Sequence, residues 1–467
     1  MIPRRLQRLA APLQWPAYRR LWLSQVLSEV GDWAARLALS ALVYGQTGSA
    51  ALGSLAFVAG LLPALGPGQW LSTLGDRHGR RTVMVTCDLV RATIFGVLAL
   101  PLTWPAAVPL LLAAVAGVAT SPFESARAAA VIDICEAPLP GARGRRRAGR
   151  PVASPGAADV DVSAAGEGAA EAAQQDRVVA AVSLGQVTQD LATVLGYLVG
   201  GLLLVWLGAA GGLAVNAATF VVSAVLLLGL PRLAVGHDEH ADLAAWPRLR
   251  LASAVFVRDP LVRRGALLAS FAVATATAVQ STAVPFVGLT LPDQRWLSGF
   301  ALAAASVVAL VATVVLPEGL DAPRALRLTA VLTLAPAALG ALLGLVPAPL
   351  PALVGLIGTG GLFAALVPAV ALVAPRLPAS LRATCFGLLT AGLTLMQAVL
   401  CTLAGVLTDR IGPPHAMVAL LVPAVVVALV ALARPVCVVT LPADPSASGE
   451  DGPAAPASGS DDELALT

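Results

Sequence analysis

The stretch Ser72-Thr73-Leu74-Gly75-Asp76-Arg77-His78-Gly79-Arg80-Arg81 sets one acid and three arginines around a glycine, and its surroundings decide the fold. Apolar runs of about twenty residues flank it, roughly 50–74 before and 82–104 after, each long enough for a helix to cross a bilayer. A charged turn this short is no domain. It can dock one helix end against its neighbour through charge-assisted hydrogen bonds that one conformation makes and another breaks. It can also be a basic loop that fixes topology.

Outward from that turn the same alternation continues. The chain has 467 residues, 57% hydrophobic and 12% charged, whereas a soluble domain keeps about a quarter of its residues charged. A water-facing surface over most of the chain is therefore excluded. A β-barrel would show roughly ten-residue alternating segments with aromatic girdles; the uninterrupted runs here, rich in Ala, Leu, Val and Gly, fit only helices packed through small residues. The expected spans are 20–45, 50–74, 82–104, 106–128, 179–207 and 209–230, then 264–291, 297–317, 327–346, 350–375, 382–408 and 412–434. A polar stretch, 231–260, separates the two sixes. The chain thus reads as an N-terminal bundle (20–230), a central loop (231–260) and a C-terminal bundle (261–440). The ends are 1–19, expected to precede a permanent span rather than form a removable signal, and an acidic tail, 441–467. Both the tail and an insert at about 136–178, rich in Ala, Gly, Ser and Asp around an arginine cluster, lack the apolar residues to build a core.

All 30 basic residues are arginine. Numbered against these spans, 25 lie on the side where span one begins, two (Arg295 and Arg410) on the other, and three (Arg36, Arg91 and Arg127) within or beside spans. Positive-inside bias then puts both termini in the cytoplasm of a cell whose plasma membrane the protein spans.

The turn after span two resembles the major facilitator superfamily signature G-x-L-A-D-R-x-G-R-R. Leu74, Asp76, Arg77, Gly79, Arg80 and Arg81 stand in register, with Ser72 for the first glycine and Gly75 for the alanine. The resemblance implies two six-helix bundles working by alternating access, with Asp76 and Arg80 as gate residues that stabilise the outward-facing state. Three further stretches are similar to the bacterial drug:proton antiporter branch, which includes macrolide-efflux and enterobactin-export proteins. They are Leu21-Trp22-Leu23-Ser24-Gln25 leading to Gly31-Asp32-Trp33, then Cys87-Asp88-Leu89-Val90-Arg91-Ala92, and Ala126-Arg127. Gly196-Tyr197-Leu198-Val199-Gly200-Gly201 resembles the G-P-x-x-G-G element of superfamily antiporters, with Tyr197 for the proline; read on its own it is a small-residue helix interface.

Charge inside the membrane marks candidate function, because each ionisable group there is costly unless paired or hydrated. At about 1.5 Å per residue, Asp32 lies about 18 Å beyond Arg20 and Asp190 about 20 Å beyond Arg177, near the middle of a core about 30 Å thick. Asp32 and Arg36 are four apart, Asp88 and Arg91 three apart, and Glu124 and Arg127 three apart, so each pair can neutralise itself on one helix. The first is read as a coupling pair and the other two, nearer the edge, as structural or relay pairs. Asp190 has no charged neighbour within a turn. The six C-terminal spans carry essentially no charge away from their ends, so a titrating group must sit in the first half, and an apolar second half favours a lipophilic or amphipathic substrate.

No GxSxG, HExxH or phosphate-binding loop occurs, so an enzyme is not expected. Asp159 and Asp161, His237 and His240, and the scattered cysteines read as solvated or packing residues. No cofactor is expected. The expected partners are a small-molecule substrate, protons and lipid, without nucleic acid, for a protein acting as a monomer.

Overall fold

Proline and glycine punctuate the apolar runs into helices. The structure, a computed structural model, describes residues 11–60, 79–136, 160–231, 245–316, 320–378 and 381–433. Its helices are α1 (Pro16–Thr47), α2 (Ala50–Val58), α3 (Arg80–Leu98), α4 (Ala107–Glu136), α5 (Val160–Trp206), α6 (Gly208–Leu228), α7 (Ala245–Arg258), α8 (Pro260–Ser281), α9 (Ala283–Thr290), α10 (Leu297–Val314), α11 (Ala322–Gly344), α12 (Pro349–Gly358), α13 (Leu366–Val373), α14 (Arg382–Ile411) and α15 (Pro413–Ala433). No strand occurs among the described residues. Pro16, Pro260 and Pro349 open their helices at positions where the missing N–H costs nothing. The Asp259 carboxylate caps α8 by accepting from the N–H groups of Leu261 and Val262.

Among the described residues, nine helical stretches are long and apolar enough to cross a membrane. The other three expected spans are α1 and α3, which carry the charges taken up below, and the run that α2 begins, which passes out of the described residues at 61. The chain is an all-α integral membrane protein. Two expectations about polar segments change. Residues 160–178, assigned to a disordered insert, extend α5 toward its N-terminus; this segment is rich in alanine, a strong helix former. Within the central stretch, 245–258 form α7, whose Ala252 packs with Val373, Leu377 and Cys385. The acidic tail, residues 137–159 and most of the turn after span two lie outside the described residues.

In the N-terminal half α1 packs against α2, α5 and α6, and α3 against α4 and α6. Two cores result. Leu39, Phe95, Leu98 and Phe220 build one, and Leu21, Met84, Phe123 and Leu227 the other. In the C-terminal half α8 packs on α14 and α13, and α11 on α15 and α12. The halves meet where α5 crosses α10 and α2 crosses α14. Small residues make this seam. A methyl group on Gly201 of α5 would fall 2.9 Å from Gly299 Cα of α10, and one on Gly405 of α14 would fall 2.5 Å from the Ala50 carbonyl oxygen of α2; only glycine allows either approach. Each of these contacts lies toward the face remote from the start of α1. There Leu37, Phe57 and Tyr197 of the first half share a core with Val279, Ala301, Cys401 and Ala404 of the second.

Candidate functional site: a shared arginine beside a cavity

Asp88 and Arg91 are one turn apart on α3, and both are buried, at 0% and 2% side-chain exposure. Arg91 Nη2 donates to Asp88 Oδ1 at 2.5 Å, and Ser223 Oγ of α6 donates to Asp88 Oδ2 at 2.6 Å. Phe123 and Phe220 flank the guanidinium, with ring centres 4.5 and 4.3 Å away; their π-faces favour a cation over a carboxylate. The local pair expected from the spacing is therefore present, but it is not a self-contained edge pair. It is the buried centre of a cluster drawn from α3, α4 and α6.

Arg91 also reaches α1. Its Nη1 donates to Asp32 Oδ2 at 3.5 Å, and the Asp32 side chain is 30% exposed. This corrects the expected Asp32 and Arg36 pair. Arg36 makes no direct ion pair with Asp32, and its guanidinium lies 4.2 Å from the centre of the Trp33 ring. Helical spacing offered Arg36 a carboxylate one turn back, yet the indole face of its own helix holds it while the longer-range partner takes Asp32. Asp32, Arg36 and Arg91 all border one cavity of about 690 Å³, completed by apolar groups such as Phe57 and Phe95 and by Gly117 and Thr120 of α4.

A second cavity, of about 780 Å³, lies nearer the start of α1, between α1, α4 and α5, and is bordered by Gln25, Arg127, Gln186 and Gln189. Arg127 donates to Glu124 on α4 as the spacing predicted. Glu29, absent from the expected site, lies on α1 between Gln25 and Asp32. Gln25 Nε2 donates to Glu29 Oε1 at 2.9 Å, while Glu29 Oε2 is buried with no hydrogen-bond partner among the described residues. Its spacing from Asp32, three residues along α1, is the signal that could have found it. Asp190 of α5 accepts only from Gln186 Nε2, at 3.4 Å, and makes no ion pair among the described residues.

The signature turn is described only from Gly79 onward; Ser72, Leu74, Asp76 and Arg77 fall outside the described residues. Gly79 has φ +80°, which suits glycine. Arg80 donates to the Ala129 carbonyl at 2.9 Å and pairs with Asp133, fastening the start of α3 to the end of α4. Arg81 donates to the Leu230 carbonyl just after α6, at 2.9 Å. Asp133 went unremarked in the sequence because its partner lies 53 residues away. The helix-5 glycines sit at the α1 interface and the seam. A methyl on Gly196 would fall 2.5 Å from Trp33 Cβ, one on Gly200 2.9 Å from Ala34 Cα, and Gly201 meets Gly299.

No protein-family model and no curated protein sequence matches the chain. Solved structures do match in shape. A nucleoside transporter, NupG, aligns with TM-score 0.64 at 14% identity over 89% of this chain and 98% of its own. A POT family transporter in complex with 5-aminolevulinic acid aligns with TM-score 0.59 at 13% identity over 89% and 95%. A bacterial homolog to the human lysosomal transporter Spinster, inward-facing and occupied, aligns with TM-score 0.60 at 14% identity over 90% and 97%. Identities this low speak to fold alone, and the fold they share with this chain is that of the major facilitator transporters.

Proposed function

We propose that the chain is a secondary active transporter that moves a small lipophilic or amphipathic molecule by alternating access, exporting it as protons flow inward across a bacterial plasma membrane. It acts as a monomer with both termini in the cytoplasm. One observation carries the coupling: Arg91 serves two unequal carboxylates. Its bond to Asp88 is short, buried and backed by Ser223, whereas its bond to Asp32 is long and borders the 690 Å³ cavity. A proton arriving on Asp32 would leave a neutral, fully bonded Asp88 and Arg91 pair behind. The group nearest the cavity can thus change charge without abandoning a buried ion, which would cost several kcal/mol. Asp190, which accepts from the Gln186 amide, is the second candidate carrier. The apolar C-terminal half supports the substrate class, since Gln397 and Thr277 there bond to each other at 2.9 Å.

The test is flux in proteoliposomes under an imposed pH gradient, with ethidium and a fluorescent lysophospholipid as separate probes. Ethidium should move against its own gradient, and Asp32→Asn should abolish that accumulation while leaving downhill flux. Movement of neither probe, or ethidium movement indifferent to the pH gradient, would overturn the reading. Movement of the lysophospholipid alone would make lipid the substrate.

A further inference from the structure

The start of α2 should owe four backbone donors to something outside its own helix. Its first turn settles them in an unusual way. Leu52 N–H donates to Ser49 Oγ at 3.4 Å and Ser49 N–H to Thr47 Oγ1 at 3.2 Å, both local. Ala50 and Ala51 N–H donate instead to the two oxygens of Asp409, at 2.7 and 3.1 Å, and Ser49 Oγ donates to Asp409 Oδ2 at 3.0 Å. Asp409 belongs to the last turn of α14, in the other half of the molecule. A carboxylate from one bundle therefore caps a helix of the other, where the partial positive charge of that helix terminus favours it.

Two independent observations give this contact a role in the transport cycle. Gly405, one turn before Asp409, is the residue whose lack of a side chain lets α14 approach Ala50, so the seam is built to bring this carboxylate within reach. The second is an echo in the sequence. Leu407-Thr408-Asp409-Arg410-Ile411-Gly412 repeats the spacing of Leu74-Gly75-Asp76-Arg77-His78-Gly79, with Leu, Asp, Arg and Gly in the same places. The glycines that end the two stretches have φ +82° and +80°. Each breaks the chain just before the next helix begins, at Pro413 and at Arg80.

We infer that Asp409 is a positioning residue that latches the two halves together at the outer face, the counterpart of the role that the signature resemblance implies for Asp76 at the inner face. The inference rests on the alternating-access reading for its meaning, though its test needs no substrate. When the halves part at this end, Ala50 and Ala51 lose their acceptor to water and the contact vanishes, so its strength biases the balance between outer-closed and outer-open states.

Cys401 reports on it without engineering. It lies two turns below Asp409 on α14, is fully buried in the seam, and sits toward the remote face, whereas Cys87, Cys135 and Cys385 lie toward the other. Right-side-out and inside-out vesicles are treated with an impermeant maleimide, and the labelled cysteine is located by mass spectrometry. Asp409→Ala should raise the labelling rate of Cys401 from outside about tenfold, Asp409→Glu should restore the parental rate, and the thermal midpoint of the purified variants should hardly move. Should the alanine variant express poorly, Ser49→Ala, which removes one of the three bonds, should give a smaller rise of the same kind. Unchanged Cys401 labelling in both variants and from both vesicle types would overturn the latch, as would a rise matched by a general loss of thermal stability that glutamate fails to rescue. A rise seen from inside-out vesicles alone would keep the latch and reverse the membrane orientation. A rise from outside with no flux of either probe would keep the latch and overturn the transport reading.

Discussion

The two halves of this molecule solve the problem of polar groups in a membrane in opposite ways. The N-terminal half keeps Asp32, Asp88 and Arg91 inside by sharing one guanidinium between two carboxylates and closing two aromatic rings over it. Among the described residues the helices of the C-terminal half carry no such cluster, and their interior polar groups are neutral, as where Gln397 donates to Thr277. Buried charge lies in the half where it is paired across helices, while the other half keeps its charges, such as Asp259, Arg376 and Asp409, at helix ends. On the proposed reading, proton chemistry belongs to one bundle and apolar contact to the other.

The sharpest way to break that comparison is Arg91→Ala. It strands Asp88 at zero exposure with only Ser223 as donor, so the expected cost is about 3–5 kcal/mol, read as a collapse of expression and of the thermal midpoint in detergent. Asp88→Ala combined with Arg91→Ala should recover much of that loss, because no buried charge is left alone. A double variant as unstable as the single one would show that the cluster stabilises through packing rather than charge.

Next comes Asp32→Asn, where function and stability should separate. Its bond to Arg91 is long and its side chain partly exposed, so the thermal midpoint should stay near the parent's while pH-driven accumulation of ethidium disappears. Asp190→Asn should weaken accumulation less, since Asp190 shares no arginine with the central cluster. Equal accumulation in both variants and the parent would remove proton coupling from these residues. The mildest change belongs to the other half: Gln397→Leu should cost about 0.6 kcal/mol, the usual scale of a hydrogen bond between membrane helices, and leave the pH response intact. A lost pH response there would end the division of labour.

The helices were legible because apolar runs between arginine-marked breaks admit few alternatives, and the pairing of Asp88 with Arg91 because i, i+3 spacing places both on one face. Asp32 shows the limit of that logic. Its sequence neighbour Arg36 stands one turn away, but which of two arginines it meets depends on how α3 packs against α1 and on Trp33 offering its face to the other. Asp133 and Asp409 stayed invisible for the same reason, since their partners lie far along the chain. The helical continuation over 160–178 was missed because a composition without large apolar residues reads as unable to pack, although alanine needs no packing partner to favour a helix.

The seam of Gly201, Gly299, Ala50, Ala301, Ala404 and Gly405 sets how the halves part. Side chains this small lose almost no rotamer entropy when pressed together. In the alternating-access reading, closing at these positions needs no search for interlocking rotamers. On that reading the choice of state falls to a few directional bonds at the ends of the seam, such as those of Asp409.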